Sequence, residues 1–361
     1  MSYRLGVDVG GTFTDLLLIN EMSGTTHTAK VPSTPEDSSI GVLNGIARIC
    51  EESGVEPTQI NRVMHGTTVA TNAVLTGKGA KVGLVTTSGY KHVLQVARSF
   101  CPGGLGGWVS YVKKPLLAPL ELTIEANERM GADGQSVEAL DEVALRENLL
   151  RLKATGEVEA LTICFINAYV NGAHEQQAKT IASEIFTEIP ISISSDIVPE
   201  MQEYERTETT VVNSYVRPEV SRYVDNLQAS LHQSMGKDLQ LSILRSDGGL
   251  ASGSAAANNP VNLLMSGPAG GVSGAIHFAT AAGFENILTF DMGGTSTDVA
   301  LIQQSKARIR RETRVGDVIV RAPSVDVRTV GAGGGSIAFV PELTKALRVG
   351  PESAGAKPGP A

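Results

Sequence analysis

The chain has 361 residues, of which 42% are hydrophobic, 19% charged and 4% aromatic, with a formal net charge of -8. That length exceeds one ordinary core, and the composition is globular, which excludes a disordered or fibrous chain. The acidic balance, with only short basic clusters such as Lys306 to Arg314, argues against a nucleic-acid partner. Three cysteines (Cys50, Cys101, Cys164) lack metal-ligand spacing and make no disulfide framework. With no leader-like start and no long apolar run, the expectation is a cytoplasmic protein with no membrane span.

In chain order, Leu5–Val9 and Thr12–Ile19 alternate apolar and polar residues around Gly10-Gly11, which predicts a β-hairpin, and Thr25–Val31 adds a strand. Ser38–Ser53 has helical spacing, with Ile40, Leu43, Ile46 and Ile49 on one face. A strand over Asn61–Met64, a helix over Gly66–Leu75, a strand over Lys81–Thr86 and a helix over Gly89–Arg98 follow. Three strands before the α/β alternation predict a mixed sheet opening on a meander, not the repeated βαβ of a dinucleotide-binding fold.

Further on, Leu140–Ala154 and Ala173–Phe186 read as helices, Glu159–Asn167 and Pro190–Val198 as strands. Arg206–Met235 reads as two helices broken at Pro218. Leu239–Arg245 is a strand ending at Ser246-Asp247-Gly248-Gly249. A helix over Gly267–Ala282 follows, then a buried strand over Asn286–Phe290. Cys101–Trp108 is a glycine-rich loop, either solvated or a lid. Glu200–Glu208 reads as a solvated start to a helix.

The strongest signal is an internal repeat. Residues 8–19 read DVGGTFTDLLLI and residues 291–302 read DMGGTSTDVALI, identical at eight of twelve positions. Adjacent glycines let backbone N–H groups approach an anion, and threonine hydroxyls add donors. An aspartate at each strand end, Asp8 and Asp291, can hold a hydrated Mg²⁺. Two such hairpins across a cleft would grip a polyphosphate.

The doubled Asp-x-Gly-Gly-Thr-x-Thr-Asp motif resembles the phosphate motifs of the sugar-kinase, actin and heat-shock-chaperone ATPases. His65-Gly-Thr-Thr-Val-Ala-Thr-Asn72, Ser246-Asp-Gly-Gly249, Ser266-Gly-Pro-Ala-Gly-Gly271 and Gly331-Ala-Gly-Gly-Gly-Ser336 resemble the A subunit of the hydantoinase/oxoprolinase family. The resemblance implies an α/β chain of actin-like ATPase (ribonuclease H-like) domains with mixed sheets. It places a first domain at 1–185, a connecting α/β region at 186–286, and the start of a second, incomplete domain at 287–361. Family A subunits are longer, so a fragment or truncated product is expected.

The activity implied is ATP-dependent opening of a hydantoin, 5-oxoproline or lactam through phosphorylation of the carbonyl oxygen, with a B-type partner subunit. A ketone carboxylase subunit, a non-catalytic nucleotide-binding module and an ordinary sugar or acyl kinase are alternatives. The stretch from Arg98 to Tyr111 departs from the common pattern and leaves the ring open.

ATP is expected between the hairpins. Its ligands would be Gly10, Gly11, Thr12, Thr14 and Asp15 in one, and Gly293, Gly294, Thr295, Thr297 and Asp298 in the other. Gly267, Gly270 and Gly271 at a helix start, and the turn Gly333, Gly334 and Gly335, would border it. Asp8 and Asp291 would organise Mg²⁺ and serve catalysis. His65 is a candidate base and equally a structural histidine. Asp247 is a candidate to orient substrate or activate water and equally a turn cap. A dinucleotide reading of Gly331–Ser336 fails because extended residues follow it, and no Walker-type loop is present. No histidine pair has zinc-site spacing.

Overall fold

The computed structural model describes residues 2–10, 13–34, 38–99, 106–107, 113–294, 296–354 and 359. The expected nucleotide residues Gly11, Thr12 and Thr295, and most of the Cys101–Trp108 loop, lie outside them.

Strands β1 (Tyr3–Val9), β2 (Phe13–Asn20) and β3 (Thr26–Pro32) form the expected antiparallel meander. Period-2 alternation sends Leu5, Val7 and Val9 into the core and Asp8 out of the opposite face. Helix α1 (Ser38–Ser53) covers the meander. It buries Val42, Ile46 and Ile49, whereas Ile40, expected on that face, is exposed. Gly45 sets the contact: a Cβ there would collide with the Leu16 side chain.

Strand β4 (Ile60–Gly66) pairs parallel to β1. The sheet is completed from far along the chain: Gln240–Leu244 lies parallel to β4, and Leu250–Ser252 lies antiparallel beyond it. A second, wholly parallel sheet runs Ile191–Ile193, Ala160–Cys164, β5 (Val82–Thr87), β6 (Thr123–Ala126). Residues 191–193 belong to the second sheet, residues 240–252 close the first, and the second sheet is inserted between β4 and its partner.

Glu203–Met235 is one helix, not the two expected. A proline in a helix interior costs about 3 kcal/mol. Seven side chains of this helix (Val211, Val212, Val216, Val220, Val224, Leu227, Leu231) are fully buried. At about 1.5–3 kcal/mol each they outweigh Pro218. Arg206, expected in a solvated segment, is buried near the start of this helix. Its guanidinium donates to the Phe165 carbonyl at 2.8 Å, the Glu200 carbonyl at 2.9 Å and Ser194 Oγ at 3.2 Å, so the charge is hydrogen-bonded rather than hydrated.

Three local expectations are corrected. Within Gly89–Arg98 only Val93–Val96 is helical, and Ala97 and Ser99 stop it with φ of 50° and 51°. Pro190–Val198 is a three-residue strand followed by a helical turn, Ser194–Ile197. The Asn286–Phe290 region forms the strand Ile287–Met292, but Leu288 and Phe290 are each 65% exposed. That strand pairs with Thr297–Gln303, which pairs on its other side with Val327–Val330. The helix Ser266–Ala281 packs between this sheet and the first. No helix among the described residues is long and apolar enough to cross a membrane.

Candidate nucleotide cleft

The two repeated segments fold alike. In the first hairpin Asp8 stands opposite Asp15, and in the second Asp291 stands opposite Asp298. The Gly10 amide donates to the Phe13 carbonyl at 3.0 Å, and the Gly293 amide to the Ser296 carbonyl at 2.9 Å. The inner threonines, expected as phosphate donors, point inward instead. Thr14 is fully buried and meets Ser33 Oγ at 3.1 Å, and Ser33 donates to the Gly10 carbonyl at 2.8 Å. Thr297 donates to the Ala332 carbonyl at 2.6 Å. Both hydroxyls brace a turn, because a threonine immediately before a strand's outward-facing aspartate falls on the opposite, buried face.

A cavity of about 410 Å³ is lined by Asp8, Asp15, Gly66, Leu244, Gly267 and Gly270. One of about 320 Å³ is lined by Asp291, Asp298, Pro268 and Phe290. Gly271 borders both, so the start of the Ser266–Ala281 helix stands between the hairpins. Ser266 Oγ donates to the Thr67 carbonyl at 3.1 Å, and the Met265 amide donates to Thr71 Oγ1 at 3.0 Å, which ties this helix start to the segment after β4. Small residues keep the cleft open: a Cβ on Gly66 would lie 3.3 Å from Asp8 Oδ1, and one on Gly270 would lie 2.7 Å from Leu244 Cδ2.

The four aspartates are not equivalent. Lys30 Nζ sits 2.9 and 3.0 Å from the Asp15 carboxylate oxygens, and Thr329 Oγ1 donates to Asp298 Oδ1 at 2.5 Å. Asp8 and Asp291 accept no hydrogen bond from any described residue. Partial enclosure pushes the Asp8 carboxyl above its ordinary pKa; the charges of Asp15 and Asp291 add to this and Lys30 opposes it.

The glycine turn meets the second hairpin directly. The Gly334 amide donates to the Gly293 carbonyl at 2.9 Å and the Gly335 amide to the Gly294 carbonyl at 2.7 Å. These two N–H groups are therefore spent on the hairpin rather than offered to a phosphate. Gly333 makes the approach possible, since a Cβ there would lie 2.5 Å from the Gly293 carbonyl oxygen.

Two candidates offer the cleft no free side chain, although His65 borders the cavity that holds Asp8. The His65 ring points to the core face, opposite Asp8, and its Nε2 lies 2.7 Å from the Tyr223 hydroxyl. Burial pushes its pKa down to about 4. Asp247 accepts from Arg245 at 2.8 Å and from the Gly249 amide at 2.9 Å, which makes it the brace of its own turn. Sequence reasoning missed Gly66 and the bracing role of Ser33. It also did not single out Arg310, Arg314 and Arg328, which line one cavity; the Lys306–Arg314 cluster was the available signal.

Comparison with known proteins bears on both halves. Residues 4–186 match the hydantoinase/oxoprolinase N-terminal region, and residues 206–361 match hydantoinase/oxoprolinase. The alpha subunit of caprolactamase from Pseudomonas jessenii is 34% identical over 99% of the chain and 51% of its own length. The gamma subunit of acetophenone carboxylase from Aromatoleum aromaticum is 32% identical over 99% of the chain and 50% of its own. The crystal structure of the ATP-dependent caprolactamase from Pseudomonas jessenii superposes with a TM-score of 0.86, covering 99% of this chain and 52% of that one. The chain thus spans about half the length of these relatives. Its α/β fold, with a mixed sheet opening on an antiparallel meander, is actin-like. With both of its halves matched, the chain belongs to the hydantoinase/oxoprolinase family.

Proposed function

We propose that the chain is the nucleotide-binding part of an A-type subunit that uses ATP to activate a carbonyl oxygen and thereby opens a cyclic amide, a hydantoin, 5-oxoproline or a lactam. The observation that carries this reading is the shared register of the two aspartate pairs on hairpins that border one cleft. The Gly10 and Gly293 amides close their turns; Gly11, Thr12, Gly294 and Thr295, next in the sequence, are the donors we assign to phosphate oxygens. The amide of Gly267, in the first turn and at the positive end of the helix dipole, would add to them, while Gly270 and Gly271, one turn further in, would let the nucleotide approach without a side chain in the way.

Asp8 and Asp291, with no hydrogen-bond partner among the described residues and with mutual repulsion to relieve, fit a hydrated Mg²⁺, whose charge would offset that of the phosphates. No three acidic, histidine or cysteine side chains converge on one point among the described residues, so contact would run through water.

The chain's part is to align and stabilise, since phosphoryl transfer rests mostly on positioning and electrostatics. The amide oxygen takes the γ-phosphoryl group as its bond to ADP breaks. Water then adds to the activated carbon, the ring C–N bond breaks, and hydrolysis releases phosphate beside the amino acid. A B-type partner subunit would complete the enzyme.

A second reading is favoured by one observation: the acetophenone carboxylase subunit is nearly as similar as the caprolactamase subunit. There the activated oxygen would belong to an enolate, and bicarbonate would be consumed.

Calorimetric titration with Mg·ADP tests the shared core of both readings. Saturable binding that is lost in Asp8→Ala and in Asp291→Ala is expected. Binding that survives both substitutions rules out this cleft. Release of an amino acid, against uptake of bicarbonate, then separates the two reactions.

A further inference from the structure

The cleft between the hairpins is acidic, and so is the chain, yet the cavity beside it is basic. About 520 Å³ in volume, it is walled by Arg310, Arg314 and Arg328, with Met265 at its margin. Pairing of short strands brings the arginines together. Arg310 lies opposite Ser324, Arg314 opposite Ile319, and Arg328 opposite Val299 of the second hairpin.

The carboxylates nearby are already engaged. Asp326 lies 2.6 Å from Arg310 and 3.9 Å from Arg308. Glu312, in the cavity wall, lies 3.2 Å from Arg321. Arg314 and Arg328 have no carboxylate partner among the described residues. Three guanidinium groups around one volume, two of them uncompensated, repel one another unless an anion enters. Guanidinium matches a planar carboxylate in two-point geometry.

The cavity also adjoins the cleft. Val327 lines both this cavity and the one that holds Asp291 and Asp298. Thr329, in the arginine-lined wall, donates to Asp298. The Met265 margin is the start of the helix that separates the two hairpins.

We propose that this cavity binds the planar monoanionic carboxylate group of the second reactant and holds it beside the phosphate hairpins. The proposal rests on the reading of the cleft as the nucleotide site, and it narrows the reactant to one that carries such a group. Two sources share that chemistry: a cyclic amide with a carboxylate, as in 5-oxoproline, and bicarbonate.

The test is titration of the 361-residue chain at low ionic strength with 5-oxoproline, with 2-pyrrolidinone (the same ring without the carboxylate) and with bicarbonate, beside Mg·ADP. Saturable binding of 5-oxoproline at least tenfold tighter than 2-pyrrolidinone is expected. So is a loss of about tenfold in each of Arg314→Gln and Arg328→Gln, since these exposed side chains can be replaced without disturbing the core. Binding of bicarbonate alone, with the same arginine dependence, supports the site and assigns the other source. Failure of both anions to bind, or binding unchanged in both variants, overturns it. If Mg·ADP binds and neither anion does, only the arginine site falls. If an anion binds through the arginines and Mg·ADP does not, the arginine site stands and the nucleotide reading falls.

Discussion

The Tyr223 hydroxyl and His65 Nε2 lie 2.7 Å apart, across 158 residues of sequence, beneath the sheet that carries Asp8 on its other face. The ring is fully enclosed, and its pKa falls from 6.5 to about 4 because burial disfavours the imidazolium. Between those values the unfolded chain binds the proton and the folded chain does not, so this residue's contribution to stability falls as pH drops from 6.5 to 4. The loss is on the order of 3 kcal/mol. Urea unfolding of the wild type and His65→Leu from pH 7 to 4 should show a steeper acid-side loss in the wild type. Tyr223→Phe, which strips the partner, should cost about 1–3 kcal/mol at pH 7. Mg·ADP affinity should change little in either variant, because neither side chain reaches the cleft.

Asp8 and Asp291 should behave in the opposite way. Asp8→Asn removes a charge that Asp15 and Asp291 repel, so stability should hold or rise slightly, while Mg·ADP binding falls by orders of magnitude. Proton competition follows from the raised Asp8 pKa. Mg·ADP affinity should decline as pH falls, beginning at a higher pH than an ordinary carboxylate would give. Calorimetry across pH, with and without the substitution, checks this; a pH-independent affinity in the wild type would contradict the role given to Asp8.

Much of this arrangement is readable from residue order. The repeat over 8–19 and 291–302 specifies both hairpins because its glycines, threonines and aspartates each occupy a position fixed by a two-residue period. The bounds of α1, Ser38–Ser53, agree with its spacing. What spacing cannot give is which of two faces meets a distant element. His65 and Met64 are neighbours on β4, and only the long helix bearing Tyr223 decides that the histidine goes inward. Pro218 misleads for the same reason: local propensity opposes the helix, and burial against two sheets decides it. The exposure of Leu288 and Phe290 is equally invisible, because their strand has the same apolar pattern whether or not both its faces are covered.

Gly333 offers a test of the turn as a brace. A Cβ there would lie 2.5 Å from the Gly293 oxygen and 2.8 Å from both the Gly294 carbonyl carbon and the Ser296 nitrogen. All three are backbone atoms, which cannot rotate away. Gly333→Ala should therefore displace the second hairpin and weaken Mg·ADP binding at least tenfold although Asp291 is untouched. A Cβ on Gly294 meets open space, so Gly294→Ala should be milder. Equal affinity in the two variants would remove the brace from the account.

Glu208 supplies a stability prediction of opposite sign to His65. Burial raises its carboxyl to about 7, with Lys113 opposing, and it accepts no hydrogen bond from any described residue. Between 4.5 and 7 the folded chain holds a proton that the unfolded chain has released. This group's contribution is thus fully present below 4.5 and is lost as pH rises through 7. Glu208→Gln keeps the shape and removes the charge, so it should be more stable than the wild type at pH 8, by about 1–3 kcal/mol, with the difference closing toward pH 4. Thermal unfolding of both proteins at pH 4, 6 and 8 measures it. A constant difference across that range would mean that the carboxyl ionises no differently in the folded and unfolded chain.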